Sequence, residues 1–74
     1  MEEIRRWFIH TDSEGKEHIK GRTLNNEHIT TSEIVSKKDK NEGVIFTTLS
    51  GSEYYCKTKE YSSYLQKILG NINI

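Results

Sequence analysis

Turn-forming residues divide this chain into short pieces, at a spacing that leaves room for strands and for little else. Asp12-Ser13-Glu14-Gly15-Lys16, Asn25-Asn26-Glu27-His28, the polar stretch 37–43 and Ser50-Gly51-Ser52 each separate runs rich in β-branched and aromatic residues. Such punctuation every eight to twelve residues is the signature of an all-β or β-rich domain. It predicts strands at about 4–10, 17–24, 29–37, 43–49 and 53–57. The segment 12–16 reads as a hairpin with a three-residue loop, Ser13-Glu14-Gly15, in which Gly15 supplies a left-handed conformation. Gly51 has the matching place in the last hairpin.

After Lys59 the period changes. Tyr61, Tyr64, Leu65, Ile68 and Leu69 follow the i, i+3, i+4, i+7, i+8 spacing of an amphipathic helix, expected over 59–69. Thr58 can cap its start, and Gly70 is placed for a left-handed end, with Asn71 beyond it. Hairpin-linked strands are usually neighbours, so the expected fold is mostly β (α+β). It is a five-stranded antiparallel meander, an SH3-like small barrel or a curled sheet, with one C-terminal amphipathic helix against an open face or end. No repeat, low-complexity tract or linker interrupts residues 1–74, which read as a single domain.

Size and composition limit the core. The chain has 74 residues, 32% of them apolar and 30% charged. A domain of this length buries only about 60% of its unfolded surface, so a second subunit or a bound partner would add needed stability. Cys56 is alone, which rules out an internal disulfide and fits a reducing, cytoplasmic setting. No run approaches the roughly 18 apolar residues of a membrane span, and Glu2 and Glu3 stand where a signal peptide needs basic residues. Eleven Lys and Arg balance eleven Asp and Glu, so no global field steers the chain toward nucleic acid or an anionic membrane. Any anion site must be local.

One such patch is legible. The loop at 13–15 sets Trp7 opposite Gly21, Ile9 opposite Ile19 and His10 opposite His18. Trp7, Ile9 and Ile19 then share the core face, and Arg6, Phe8, His10, His18, Lys20 and Arg22 share the other. Basic side chains around an exposed aromatic suit phosphate and base recognition, and suit an acidic protein patch equally. The plainer alternative is a solvated outer face with Phe8 tucked under the loop near Leu24. His10 and His18 alone make a poor metal site, and no cofactor motif is present. Cys56 has no neighbouring base and reads as a small core residue, while Asp12 and Asp39 read as turn residues. Tyr54, Tyr55, Tyr61 and Tyr64 gather near the last strand and the helix. They can form an oligomer contact, although helix-to-sheet packing is the plainer role for Tyr61 and Tyr64.

The absence of alanine and proline beside abundant Ile, Lys, Glu, Asn and Tyr fits an AT-rich genome. The order of Trp7, the turn 12–15, Gly21-Arg22, the run 29–35 and the run 47–54 resembles short uncharacterised β-rich proteins of low-GC bacteria and their phages. That resemblance spans most of the chain and carries no functional residue. The thin core, the tyrosine cluster and the absence of catalytic motifs point to a non-enzymatic binding protein, and analogy with small phage proteins implies an anti-defence inhibitor. Such a protein, expected to be homo-oligomeric, would occupy a host protein or sequester a signalling nucleotide. The other expectation is a small-barrel nucleic-acid-binding regulator using the Arg6, Phe8, Lys20, Arg22 face.

Overall fold

A computed structural model describes residues 1–70. The protein is mostly β, with two sheets and one short C-terminal helix. Strands β1 (Glu2–Glu3), β2 (Arg5–Thr11), β3 (Glu17–Arg22), β4 (His28–Thr30), β5 (Ile34–Lys40), β6 (Gly43–Thr48) and β7 (Glu53–Lys57) precede a 3-10 turn at Thr58–Glu60 and helix α1 (Ser63–Leu69). One sheet has the order β2-β3-β4 and the other β1-β7-β6-β5. Within each, hairpin-linked strands are neighbours, but the two sheets are not closed into a barrel.

Three connections use the same construction. In each, a residue at the end of one strand accepts a backbone bond from the last loop residue, which sits at positive φ. Gly15 (φ 80) donates to Asp12 O, Asn26 (φ 64) to Thr23 O, and Gly51 (φ 87) to Thr48 O, all at 2.8–2.9 Å. These are three-residue loops ending in the left-handed conformation that glycine and asparagine tolerate best. The loop expected at 13–15 therefore has the expected form, and it fixes the pairs Ile9 with Ile19 and His10 with His18.

The expected pairing of Trp7 with Gly21 is replaced by a bulge. Phe8 pairs with Lys20 and Arg5 with Arg22, so Arg6 and Trp7 together face the single Gly21. The reason lies in the spacing of apolar residues. Ile4 and Trp7 both enter the core, yet residues three apart on a regular strand point to opposite faces. The extra residue, Arg6, resolves the conflict by taking a left-handed φ of 48.

The run expected as one strand over 29–37 is two strands, one in each sheet. At the break, Thr31 turns its side chain onto the backbone: Ile19 N–H donates to Thr31 Oγ1 (3.0 Å), which donates to Ser32 O (2.8 Å). A hydroxyl that takes a ladder position ends regular pairing there. The chain then crosses to the other sheet. β1, absent from the expected set, pairs in parallel with β7 and continues through Ile4 N–H donating to Tyr55 O (3.0 Å).

Ile4, Trp7, Ile19, Phe46 and Cys56 form the buried core between the sheets. Trp7 meets Phe46 edge-on at 5.7 Å and donates from Nε1 to Lys57 O at 2.7 Å. Burial pushes the Cys56 thiol up to about 12, with Glu3 adding to the effect. Cys56 is thus the small core residue expected from the sequence.

The helix is shorter than its apolar period suggests. Ser62, not Thr58, is the N-cap, accepting from Leu65 N–H at 3.2 Å. Gly70 ends it at φ −65, not in the left-handed region. A side chain at Gly70 would instead meet the Gln66 amide and, at 3.0 Å, Ile9 O. Glycine is needed there for close approach.

Candidate functional site

The helical segment is docked on the outer edge of β2, and this docking creates the site. Strand β2 pairs with β3 on one side. On the other, five hydrogen bonds cover its edge. Arg6 N–H donates to Glu60 Oε1 (3.2 Å), Ser62 N–H to Trp7 O (2.9 Å) and Thr11 N–H to Gly70 O (2.7 Å). Gln66 makes the remaining two, accepting from Ile9 N–H at 2.7 Å and donating to Ile9 O at 2.8 Å. Its side-chain amide thereby imitates a neighbouring strand, and an edge open to aggregation is closed. Tyr61 forms a parallel bridge to Trp7, with the two rings 4.9 Å apart.

Between α1 and the outer face of the three-stranded sheet lies a groove of about 480 Å³. Arg6, Lys20, Arg22 and His28 supply its cationic and titratable groups, and Phe8, Leu65 and Leu69 its apolar ones, with Gly21, Ile29 and Thr30 completing the lining. Strand register sets this arrangement. Phe8, Lys20 and Thr30 align across three strands, and Arg22 aligns with His28. No Asp or Glu lines the groove. Among the described residues, neither Arg6, Lys20 nor Arg22 makes an ion pair.

Four of the six residues expected on the basic face therefore meet in one groove: Arg6, Phe8, Lys20 and Arg22. Phe8 differs from expectation in being only 4% exposed. It lies beside Leu65 and Leu69 of α1 in the groove lining, not as an open stacking platform. His28, which the sequence reading set apart in another loop, joins the groove because β4 pairs Arg22 with His28.

His10 and His18 are outside that lining. Their rings are 6.3 Å apart, but each is engaged elsewhere. His10 Nδ1 is 3.3 Å from Leu69 O. His18 Nδ1 is 3.0 Å from Thr31 O, and its Nε2 is 2.7 Å from Asp12 Oδ2. A carbonyl and a carboxylate can only accept, so both bonds are made at once only by the imidazolium. The His18 pKa is accordingly raised, chiefly by the Asp12 hydrogen bond, while burial acts in the opposite sense. Asp12 is lowered to about 2, first by His18 and then by the Lys16 backbone N–H. Asp12 also accepts from Glu14 N–H at 2.9 Å, the turn role expected of it. Asp39, expected in a turn, lies within β5 instead.

A pH dependence follows from these shifts. His18 is raised, so its contribution to stability is complete below its ordinary value of 6.5 and is lost as pH rises through the folded value. Asp12 is lowered, so its contribution is present above 3.8 and is lost as pH falls through about 2. Denaturant midpoints should therefore decline as pH is raised above 6.5. Asp12→Asn, which keeps the turn acceptor and removes the charge, should flatten that decline and return the NMR titration of His18 toward its ordinary value. An unchanged His18 titration in the variant would contradict the pairing.

The four tyrosines have four different surroundings. Tyr54 packs against the core and Tyr55 Oη donates to Lys40 O at 3.4 Å. Tyr61 lies before α1 and is 39% exposed, with its ring tilted against Trp7, and Tyr64 is 70% exposed on α1. Neither is buried in helix-to-sheet packing. A second cleft, of about 490 Å³, opens along the seam between the sheets. Trp7, Ile34, Phe46 and Tyr61 give it an apolar lining, and its charges are mixed, Lys37 with Glu17 and Asp39. Of these two, the groove beside α1 has side-chain charge of a single sign.

Neither a protein-family model, nor a curated protein, nor a solved structure matches this chain. Among the described residues no helix is long and apolar enough to cross a membrane.

Proposed function

We propose that this protein is a non-enzymatic binding protein that sequesters a small nucleotide in the groove between β2–β4 and α1. The observation that carries this reading is Arg6, Lys20, Arg22 and His28 converging around an apolar lining that contains no carboxylate. Guanidinium and ammonium groups hold phosphate oxygens by charge-assisted hydrogen bonds, and apolar groups receive a base or sugar. The groove volume falls in the range of small-molecule sites. Balanced net charge favours a short ligand over a long polyanion. Binding suits the groove better than catalysis, because no thiol or carboxylate lines it and its candidate nucleophile and base, Thr30 and His28, are not hydrogen-bonded to each other.

Arg6 separates binding from stability. A bulky residue at φ 48 carries a backbone cost that glycine does not. Arg6→Gly should therefore raise stability by roughly 0.5 kcal/mol while weakening nucleotide binding about tenfold, the worth of one charge-assisted contact. Calorimetric titration with nucleoside mono- and triphosphates, run beside denaturant unfolding, measures both. Arg22→Gln should show the binding loss without the gain in stability, since it also removes the exposed bond from Arg22 to Asn26 O. Failure of every nucleotide to bind at millimolar concentration would refute the reading, as would unchanged affinity in both variants. The alternative, a nucleic-acid-binding regulator, would show itself by tighter binding of a single-stranded oligonucleotide that weakens steeply with salt.

A further inference from the structure

A smaller depression, of about 300 Å³, adjoins the groove. It has only Arg6 and Arg22 in common with it, so the two arginines stand on the boundary between the spaces. We propose that the two spaces together hold a dinucleotide, with its bridging phosphate between Arg6 and Arg22 and one nucleoside on either side. This rests on the reading of the groove as a nucleotide site and goes beyond it by specifying the ligand class.

Both boundary residues carry the planar fork of donors that suits phosphodiester oxygens. Both are also positioned by bonds that leave donors free. Arg22 Nη1 donates to Asn26 O at 2.9 Å, which ties one nitrogen of the guanidinium to the 23–27 loop. Arg6 is set by the bulge: its backbone stands at φ 48 and its N–H donates to Glu60 Oε1. The bulge that lets Ile4 and Trp7 both reach the core thus also sets Arg6 between the two spaces.

The two sides differ in chemistry. The groove offers Phe8, Leu65 and Leu69 with Lys20 and His28, which suits a base and a terminal phosphate. The depression offers Arg5, Thr23, Asn26 and the carboxylate of Glu60. A carboxylate repels phosphate and accepts from a ribose hydroxyl or an exocyclic amino group. That side therefore meets the donors of a nucleoside with a carboxylate acceptor that the groove lacks. A mononucleotide occupies one space only, and two bounded spaces do not extend as a strand-length channel does.

Calorimetric titration of the full chain tests this, using the dinucleoside monophosphates of adenosine, guanosine, cytidine and uridine against the matching nucleoside monophosphates. At least one dinucleotide should bind ten-fold or more tightly than its mononucleotide. Glu60→Gln, which keeps the acceptor for Arg6 N–H, should weaken that dinucleotide several-fold and leave the mononucleotide unchanged. Equal affinity for the two sizes, or a Glu60→Gln variant that affects neither, overturns the dinucleotide proposal and leaves the groove reading standing. Absence of binding by both sizes, with the fold intact by circular dichroism, overturns the groove reading itself. A homopolymer twelve nucleotides long that binds far more tightly than any dinucleotide, with steep salt dependence, overturns the proposal in favour of a strand.

Discussion

Gly21→Ala should cost this protein about 3 kcal/mol, at the upper end of what overpacking does to a close-packed site. A Cβ built on Gly21 would lie 2.6 Å from Ile4 Cγ2, 2.7 Å from Arg5 O and 3.1 Å from Trp7 Cα. Two of those three atoms are backbone, and they belong to the bulge. The side chain cannot rotate away, because a Cβ has no torsion of its own, and Ile4 is fully buried. Relief requires the bulged segment to move off β3, which pulls both Ile4 and Trp7 from the core. For a chain of this length total stability is roughly 4–11 kcal/mol, so the variant should stay folded in water with only about 1–8 kcal/mol left and a much lower urea midpoint. Urea titration followed by Trp7 fluorescence measures the loss. A midpoint within experimental error of the parent would mean that the bulge does not press on Gly21 as described.

The second large effect is expected at Gln66. Gln66→Leu keeps most of the side-chain volume but leaves Ile9 N–H and Ile9 O without partners at the β2–α1 junction. An unsatisfied buried backbone group costs about 1–3 kcal/mol, and because these two are only partly buried the penalty should fall in the lower part of the doubled range, near 2–4 kcal/mol. Only seven residues form α1. A helix that short has little stability apart from its docking, so it should leave β2 before the rest of the protein unfolds. Amide exchange should accelerate at Ile9 and throughout α1. The uncovered edge of β2 should promote self-association, visible by light scattering. Binding at the groove should disappear as well, since Leu65 and Leu69 leave with the helix. Unchanged exchange at Ile9 would show that the Gln66 amide does not hold the edge.

The parts of this molecule legible in its sequence are those fixed by neighbours along the chain. Gly15 and the residues before it set a three-residue loop, and that loop sets Ile9 against Ile19. The same register places Phe8, Lys20 and Arg22 on one face, which is why the basic part of the candidate groove was recognisable. Asp12 with His18 was recoverable on the same basis, because it lies diagonally across the hairpin from His18. What escaped depends on contacts between distant segments. The run 29–37 contains no glycine or proline, and only the hydroxyl of Thr31 reaching Ile19 N–H divides it into β4 and β5. The parallel pairing of β1 with β7 leaves no local trace. Gln66 reads as an ordinary polar helix position until the edge of β2 is beside it. The bulge left a weak signal, since Ile4, Trp7 and Ile9 are all apolar and cannot share one face of a regular strand.

Mapping the ligand onto the backbone would show whether the basic groove beside α1 is the binding site. Two-dimensional nitrogen–proton NMR spectra of the labelled protein, recorded during titration with nucleoside triphosphates and dinucleotides, would report every amide at once. Shifts should centre on Arg6, Phe8, Lys20, Gly21, Arg22 and His28 and extend to Leu65 and Leu69. Shifts centred instead on Ile34, Val35, Phe46 and Tyr61, the seam between the sheets, or no shifts at all, would contradict the groove as the binding site.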